Sequence, residues 1–272
     1  GVSSAASDVY KRQANSIVFR VPELPESATV DVLAKYYEGT GSLTLRNDCY
    51  VFIPRVFSYP NLKMGAHRNE DFGNMINGTT GQVSTTCILK DVDSRALIDF
   101  AAVHNSNNDF ALNGPQNIKA NLRNYWCNGT PLPPLKSSST EAEVNENFGE
   151  FTSTVTKLLV LQESKGYGEL IRNIKEGNIE EISPTDEITK ALFNIDMDAE
   201  GSNSVRSRQK TEAEDKEASN IYKAGSVVVF KNLKKNKFGI MIIRSVNVDF
   251  DAVKATNDAN ATITFDLYYQ RY

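Results

Sequence analysis

The fold is decided near the C-terminus by the stretch Ser226-Val227-Val228-Val229-Phe230, a short run of mostly β-branched residues. Two further runs of the same character follow at residues 238–248 and 262–268. Such side chains favour extended backbone, and the mostly polar residues 232–236 between the first two runs are typical of a tight turn. The end of the chain is therefore predicted to be a three-stranded antiparallel meander.

Helices are predicted upstream of this meander. Ser183 and Pro184 match the residue preferences of a helix start, so a helix is predicted at residues 183–195. Its apolar residues recur with the spacing of one helical face, at Ile188, Ala191, Leu192 and Ile195. Further helices are predicted at 167–175 and 211–222. Together these elements predict the α+β class, with an antiparallel sheet covered by helices on one face.

The middle of the chain is predicted to hold two strands and one long loop. Residues 82–89 and 96–104 are rich in strand-forming residues, and the second run is nearly continuously apolar. Residues 131–150 combine prolines, a serine run and many acidic residues. We therefore expect a long polar loop on the surface at 131–150.

The N-terminal part has a β pattern of its own. Strand-forming runs at 16–21, 28–34, 42–46 and 49–53 are separated by turn-forming residues, which is typical of an immunoglobulin-like β-sandwich. Four strands are only part of such a domain, so earlier strands are expected to have been lost. The predicted domains are residues 14–60, the C-terminal strands of an N-terminally truncated sandwich, and residues 61–272, an α+β domain.

Residues 1–13 are expected not to belong to the natural protein. The segment from Ser3 to Gln13 reads as a codon-by-codon translation of a transposon-end adapter used in sequencing-library preparation. Setting residues 1–13 aside leaves 259 of the 272 residues and moves the formal net charge from −4 to −5. A reading frame that runs into an adapter has lost its start, so we expect a fragment assembled from community DNA.

The composition excludes several classes of protein. Hydrophobic residues make up 40% of the chain and charged residues 24%, which is enough for a packed core and unlike a disordered chain. The net charge of −4, without a basic stripe, argues against a nucleic-acid partner. No apolar run approaches the ~20 residues that a membrane-spanning helix needs.

Several short motifs follow one another after residue 60. They are Leu62-Lys63-Met64-Gly65-Ala66-His67-Arg68-Asn69, then Thr80-Gly81-Gln82-Val83, Ile98-Asp99-Phe100, Gly225-Ser226-Val227-Val228-Val229-Phe230-Lys231 and Lys237-Phe238-Gly239-Ile240. In order and spacing they resemble a family of uncharacterised surface lipoproteins from gut-type anaerobic Gram-negative bacteria. The chain departs from that pattern at His67, where we expect glutamine, and in the polar segment 136–150. The resemblance implies an extracytoplasmic protein, at the cell surface or in the periplasm, held to the membrane by a lipid anchor on the missing N-terminus.

The histidines and cysteines provide no catalytic assignment. His67 and His104 are the two histidines, and the Gly-x-Ser-x-Gly motif of serine hydrolases does not occur. Both histidines are therefore expected to be hydrogen-bonded in the fold or to face solvent, rather than to be catalytic. Cys49, Cys87 and Cys127 are far apart and lack metal-ligand spacing. One disulfide is an alternative if the protein works in an oxidising compartment. The favoured interpretation is that the thiols pack as small apolar groups.

Tyr125, Trp126 and Asn128 form a candidate ligand-binding segment. It places the single tryptophan of the chain beside amide side chains, and an exposed aromatic ring flanked by amides can stack on a sugar. The favoured alternative is that Trp126 anchors the core of the second domain.

Asp196, Asp198 and Glu200 form a candidate metal site. With Gly201 they match the first half of a calcium-binding loop. The glutamate that completes such a loop is missing, because its position is occupied by Ser207. A solvated acidic helix end is favoured over a calcium site, and no other cofactor is expected.

Two functions are compatible with these patterns. The leading hypothesis is a non-enzymatic binding or structural module of a surface lipoprotein, whose partner is a polysaccharide or another surface protein. The alternative is a glycan hydrolase that uses carboxylates such as Asp99, Glu163 and Glu169. Glycoside hydrolysis needs two carboxyl groups facing each other across a cleft, so the tertiary structure must discriminate between the two.

Overall fold

The computed structural model describes residues 28–38, 41–51, 56–69, 71–104, 110–177, 179, 187–207, 220–248 and 260–271. The chain divides into two compact units, Gly1–Pro54 and Arg55–Tyr272. This division precedes the predicted boundary at 60/61, because Val56–Gly65 is one continuous strand of the second unit. The adapter-like residues 1–13 and the strand predicted at 16–21 lie outside the described residues.

The described part of the first unit is a β-hairpin. Its strands β1 (Ala28–Glu38) and β2 (Gly41–Val51) pair antiparallel along their full length. The runs predicted as separate strands at 42–46 and 49–53 therefore belong to one strand as far as Val51. The immunoglobulin-like sandwich stays a prediction, because hairpins occur in many β folds.

The second unit contains two five-stranded antiparallel sheets. The first sheet has the order β10-β12-β13-β14-β3, the second has the order β11-β7-β6-β4-β5, and β8 pairs with β9 in a short hairpin. The strands are β3 (Val56–Gly65), β4 (Met75–Asn77), β5 (Gln82–Ser84), β6 (Phe100–His104), β7 (Phe110–Asn113), β8 (Trp126–Cys127), β9 (Thr130–Pro131), β10 (Thr156–Val160), β11 (Ser204–Ser207), β12 (Val227–Asn232), β13 (Lys237–Asn247) and β14 (Thr262–Gln270). The predicted C-terminal meander is confirmed as β12, β13 and β14.

The helices of the second unit are short. They are α1 (Val92–Arg95), α2 (Glu141–Thr152), α3 (Gly168–Glu176) and α4 (Glu187–Phe193), together with 3₁₀ helices at Thr86–Lys90, Pro115–Asn117, Lys119–Asn124 and Glu163–Lys165. The helix predicted at 167–175 is confirmed as α3, and α4 is the described part of the helix predicted at 183–195. Residues 211–219 of a third predicted helix lie outside the described residues, and Ile221 forms a β-bridge rather than a helical turn. Among the described residues, no helix is long and apolar enough to cross a membrane.

The two sheets pack face to face around the main core. Phe100 of β6 and Phe230 of β12 are fully buried, with ring centroids 5.1 Å apart and ring planes inclined by 72°. Such an edge-to-face contact is a favourable arrangement of aromatic rings. Apolar side chains of both sheets surround this pair, including Ile76, Leu112, Met241 and Phe265.

Helices cover the outer face of each sheet. Leu170 and Ile174 of α3 and Leu192 of α4 pack on the first sheet, whereas Leu122 and Phe151 pack on the second. The second unit therefore has four layers, helix, sheet, sheet and helix. The α+β class is confirmed, and the predicted covering on one face is corrected to two packed sheets, each covered on its outer face.

The helix α2 corrects the prediction of a polar loop at 131–150. The Thr140 hydroxyl accepts a hydrogen bond from the Glu143 N–H at 3.3 Å, and the Glu143 carboxylate accepts one from the Thr140 N–H at 2.6 Å. This capping box starts the helix. Val144, Phe148 and Phe151 follow with helical spacing and are buried. The capping residues and the apolar spacing are both visible in the sequence. The acidic residues in the same segment nevertheless favoured the interpretation as a loop.

The two predicted strands in the middle of the chain are shorter than expected. The strand predicted at 82–89 ends at Ser84, because a 3₁₀ helix begins at Thr86. The strand predicted at 96–104 begins at Phe100, after α1 and a turn. The lengths predicted from apolar runs are thus too long, because a helical turn can bury the same side chains as a strand.

Candidate functional site

The second unit contains a cavity of about 330 Å³. Its walls come from β6, β7 and β11, from the 3₁₀ helices between residues 115 and 124, and from the loop after β3. This volume lies at the low end of the roughly 300–1,000 Å³ that is typical of small-molecule sites. The cavity is therefore the candidate ligand-binding site.

Four asparagine side chains line this cavity, namely Asn113, Asn117, Asn121 and Asn124. Asn113 ends β7, and the other three lie on the two 3₁₀ helices that follow. The Asn117 side-chain N–H donates to the Asn113 Oδ1 at 2.7 Å. Because every amide offers both a donor and an acceptor, this wall suits a polar ligand with hydroxyl or amide groups.

These asparagines do not stand out in the sequence. Their recurrence every three or four residues was an available signal, since such spacing places side chains on one side of a helical turn. Asparagine is also a common turn residue, so the spacing alone had no clear meaning. Val103, Ala111 and Ile118 also line the cavity, and nothing in the sequence linked these aliphatic residues to the asparagines.

His67 and His104 meet in the cavity wall, although they are far apart in sequence. His67 is 4% exposed and His104 is fully buried. The His104 backbone N–H donates to the His67 Nδ1 at 3.4 Å. Burial lowers the pKa of His67 to about 3, with smaller contributions from the charges of Arg68 and His104. His67 is therefore neutral near pH 7, and its Nδ1 acts as an acceptor.

The predicted ligand-binding segment borders the cavity through one of its three residues. Tyr125 lines the cavity, is 2% exposed and has a pKa raised by burial. Trp126 is half-buried, and the Arg68 guanidinium lies 4.6 Å from the centre of its ring. Asn128 is exposed in the turn between β8 and β9 and has a φ of 55°. The three side chains therefore have different environments and do not form one exposed stacking surface.

A disulfide joins Cys87 to Cys127. This corrects the favoured interpretation of packed thiols for these two residues, while the side chain of Cys49 lies outside the described residues. The disulfide links the 3₁₀ helix at 86–90 to β8. Nine of the twelve residues that line the cavity lie between the two cysteines in sequence, so the disulfide closes the loop that supplies most of the wall.

The acidic residues of the candidate calcium site make local contacts. Asp196 Oδ1 accepts hydrogen bonds from the backbone N–H groups of Asp198 and Ala199, each at 3.1 Å. Glu200 accepts a hydrogen bond from the hydroxyl of Tyr167, whose pKa is raised to about 12 by burial and by this carboxylate. Within the described part of the chain, no three histidine, cysteine or acidic side chains form a group suited to a metal ion.

Asp99, one of the carboxylates proposed for a hydrolase, is fully buried and lies outside the cavity wall. Its Oδ1 accepts hydrogen bonds from the side chains of Asn232 at 2.8 Å, Lys235 at 2.9 Å and Tyr269 at 3.2 Å. Its Oδ2 accepts one from the Gly78 N–H at 2.7 Å. Since these partners come from both sheets and their turns, Asp99 connects the layers of the fold.

Glu163 and Glu169 are exposed, in the 3₁₀ helix at 163–165 and in α3. Neither lines the cavity. As far as the chain is described, no carboxylate lines the cavity at all. The structure thus does not bring the proposed hydrolase carboxylates together at this site.

Comparisons with known proteins yield one similar structure. No family model matches the chain, and no curated protein matches it. A crystal structure of a DUF4466 family protein from Parabacteroides merdae is 11% identical, with a TM-score of 0.43. The alignment covers 86% of this chain and 60% of that protein, so the chain spans less than two thirds of its length. The name of that protein gives no ligand or activity.

Proposed function

We propose that this protein is a non-enzymatic binding module of an extracytoplasmic, lipid-anchored protein, and that the asparagine-lined cavity receives a glycan. The observation that carries the proposal is the group Asn113, Asn117, Asn121 and Asn124 around a cavity of about 330 Å³. Sugar hydroxyls act as donors and acceptors at once, and amide side chains match both roles.

The disulfide supports an extracytoplasmic location. Disulfides persist in secreted, periplasmic and surface proteins and are rare where thiols are kept reduced. Cys87 and Cys127 form such a bond, beside the segment that provides the cavity wall. Together with the lipoprotein resemblance, this favours a protein that works outside the cytoplasm. Recovery of the upstream gene sequence would test the anchor, because a lipoprotein needs a signal segment followed directly by the cysteine that receives the lipid.

The chemistry of the cavity favours binding over hydrolysis. Glycoside hydrolysis generally uses two carboxyl groups about 5–9.5 Å apart. The described lining residues contain none, and Asp99 is held by four hydrogen-bond donors elsewhere in the fold. The amide side chains of the wall can hold a sugar, but an amide cannot protonate a glycosidic oxygen.

A glycan array followed by titration calorimetry tests the proposal. Asn121→Ala and Asn124→Ala should each weaken binding about fivefold or more, because each removes a side chain that can hydrogen-bond the ligand. Both residues are exposed, so their replacement should leave the fold intact. Asn194→Ala is the matched control, since Asn194 is also exposed but lies outside the cavity. Absence of binding to every glycan, or equal binding by all three variants, would contradict the proposed site.

A further inference from the structure

We propose that the cavity selects N-acetylated amino sugars over their parent sugars. The inference rests on the proposed function and names the ligand class of the same site. It assigns the acetyl methyl group to the aliphatic part of the wall and the acetamido N–H and C=O to the neighbouring asparagines.

The aliphatic part of the wall adjoins the amide part on one strand face. Val103 of β6 lies directly opposite Ala111 of β7 in the sheet register, so their side chains are neighbours on the same face. Asn113 is two residues beyond Ala111 on β7 and points to that face as well. A methyl-sized apolar patch therefore continues directly into an amide.

The amide part is extended by the next segment of the chain. Asn117 donates its side-chain N–H to Asn113 at 2.7 Å, and Ile118, 1% exposed, follows in sequence and also lines the cavity. An aliphatic side chain therefore lies next to each amide of this hydrogen-bonded pair: Ala111 next to Asn113, and Ile118 next to Asn117. An acetamido group combines one methyl group with one amide, and this wall presents both complements side by side.

The described lining residues offer no broad, open aromatic face, which is the usual alternative anchor for a sugar. Tyr125 is 2% exposed, and its ring packs against His67 with centroids 4.9 Å apart. Trp126 does not line the cavity, and the Arg68 guanidinium lies over its ring. Ser204 and Arg206 of β11 add polar groups to the wall, but only the aliphatic and amide groups distinguish an N-acetylated sugar from its parent. The acetamido group adds these contacts to an otherwise polar sugar ring.

The experiment measures the binding of a sugar panel by ligand-observed NMR and titration calorimetry. The panel contains N-acetylglucosamine, N-acetylgalactosamine, glucose, galactose, glucosamine and glucuronate. We expect an N-acetylated sugar to bind about tenfold or more tightly than its parent, the range that one added apolar group produces in a fitted pocket. Saturation transfer should be strongest at the acetyl methyl protons.

A valine pair provides the matched variants. Val103→Ala should weaken binding of the N-acetylated sugar about threefold or more while changing that of the parent sugar less than twofold, because it removes aliphatic contact alone. Val92→Ala should change neither, since Val92 is 53% exposed and lies outside the cavity. Thermal unfolding of both variants checks that the fold is retained.

The outcomes separate the inference from the proposed function. Binding of parent sugars or of glucuronate as tight as that of the N-acetylated sugars overturns the inference and leaves a glycan-binding site in place. Absence of binding by the whole panel and by a glycan array contradicts the proposed function and the inference with it. An acetyl preference that Val103→Ala leaves unchanged overturns the assignment of the methyl group to this wall.

Discussion

Removing the Cys87–Cys127 disulfide should lower the free energy of unfolding by about 4 kcal/mol. The two cysteines are 40 residues apart in sequence, and a cross-link restricts the unfolded chain more as the closed loop becomes longer. The chain-entropy estimate is about 3 kcal/mol for a 15-residue loop and about 4.7 kcal/mol for a 100-residue loop, so this loop should contribute about 4 kcal/mol. Both cysteines are replaced by alanine, and Cys49 is replaced as well so that no thiol can form a new pair.

The measurement compares this variant with a parent in which Cys49 alone is replaced. Guanidinium chloride unfolding followed by tryptophan fluorescence gives both free energies by linear extrapolation. Because the loop supplies nine of the twelve lining residues, backbone amides of residues 110–125 should also exchange hydrogen faster in the variant. Equal free energies, or alkylation of Cys87 and Cys127 in the unreduced native parent, would refute the reasoning.

Three further predictions concern the stability of the second unit. His67→Gln should make the stability of the fold less sensitive to acid. The pKa of His67 is about 3 in the folded protein and ordinarily 6.5. As the pH falls below 6.5, the proton therefore binds to the unfolded chain but not to the folded one. The free energy of unfolding of the wild type should therefore fall by about 2 kcal/mol relative to the variant by pH 5. Near pH 8 the difference should be negligible. Urea titrations at each pH measure both values. Asp99→Asn should cost about 3 kcal/mol, since it leaves the partly buried Lys235 without its carboxylate, and a result within experimental error of the wild type in urea unfolding would be contrary to this account. Phe148→Ala should cost about 4 kcal/mol by opening a cavity under α2, whereas loss of the cap in Thr140→Ala should cost about 1 kcal/mol; equal effects on the thermal midpoint would speak against the buried helix.

Elements with a strong local pattern were predictable from the sequence. The meander of β12, β13 and β14 was found because β-branched runs and polar turns alternate there, and the helix whose described part is α4 was found from its helical spacing. The helix α2 was missed, although Thr140, Glu143 and the buried Val144 and Phe148 carried a capping box and an apolar stripe. Acidic residues lie between the apolar ones. The polar composition of the segment therefore favoured a loop over a helix.

The candidate site was far less predictable. The sequence directed attention to Tyr125 and Trp126, and the structure places Tyr125 in the cavity wall and Trp126 under Arg68. The asparagines that dominate the wall were not selected, because an asparagine in a turn and an asparagine in a site look alike until the opposite wall is known. The pairing of Cys87 with Cys127 was likewise open, since three cysteines allow several pairs.

The sequence by itself determined the α+β class, the C-terminal meander and the absence of a conventional catalytic motif, because these depend on residues close together in the chain. The tertiary structure decided that two sheets pack face to face, that Asp99 connects them, and that His67, Asn113, Tyr125 and Ser204 border one cavity. The physical reason is that periodicity records which face of an element is apolar but not which other element that face meets. A site built from a loop, three sheet strands and two 3₁₀ helices exists only once those partners have packed.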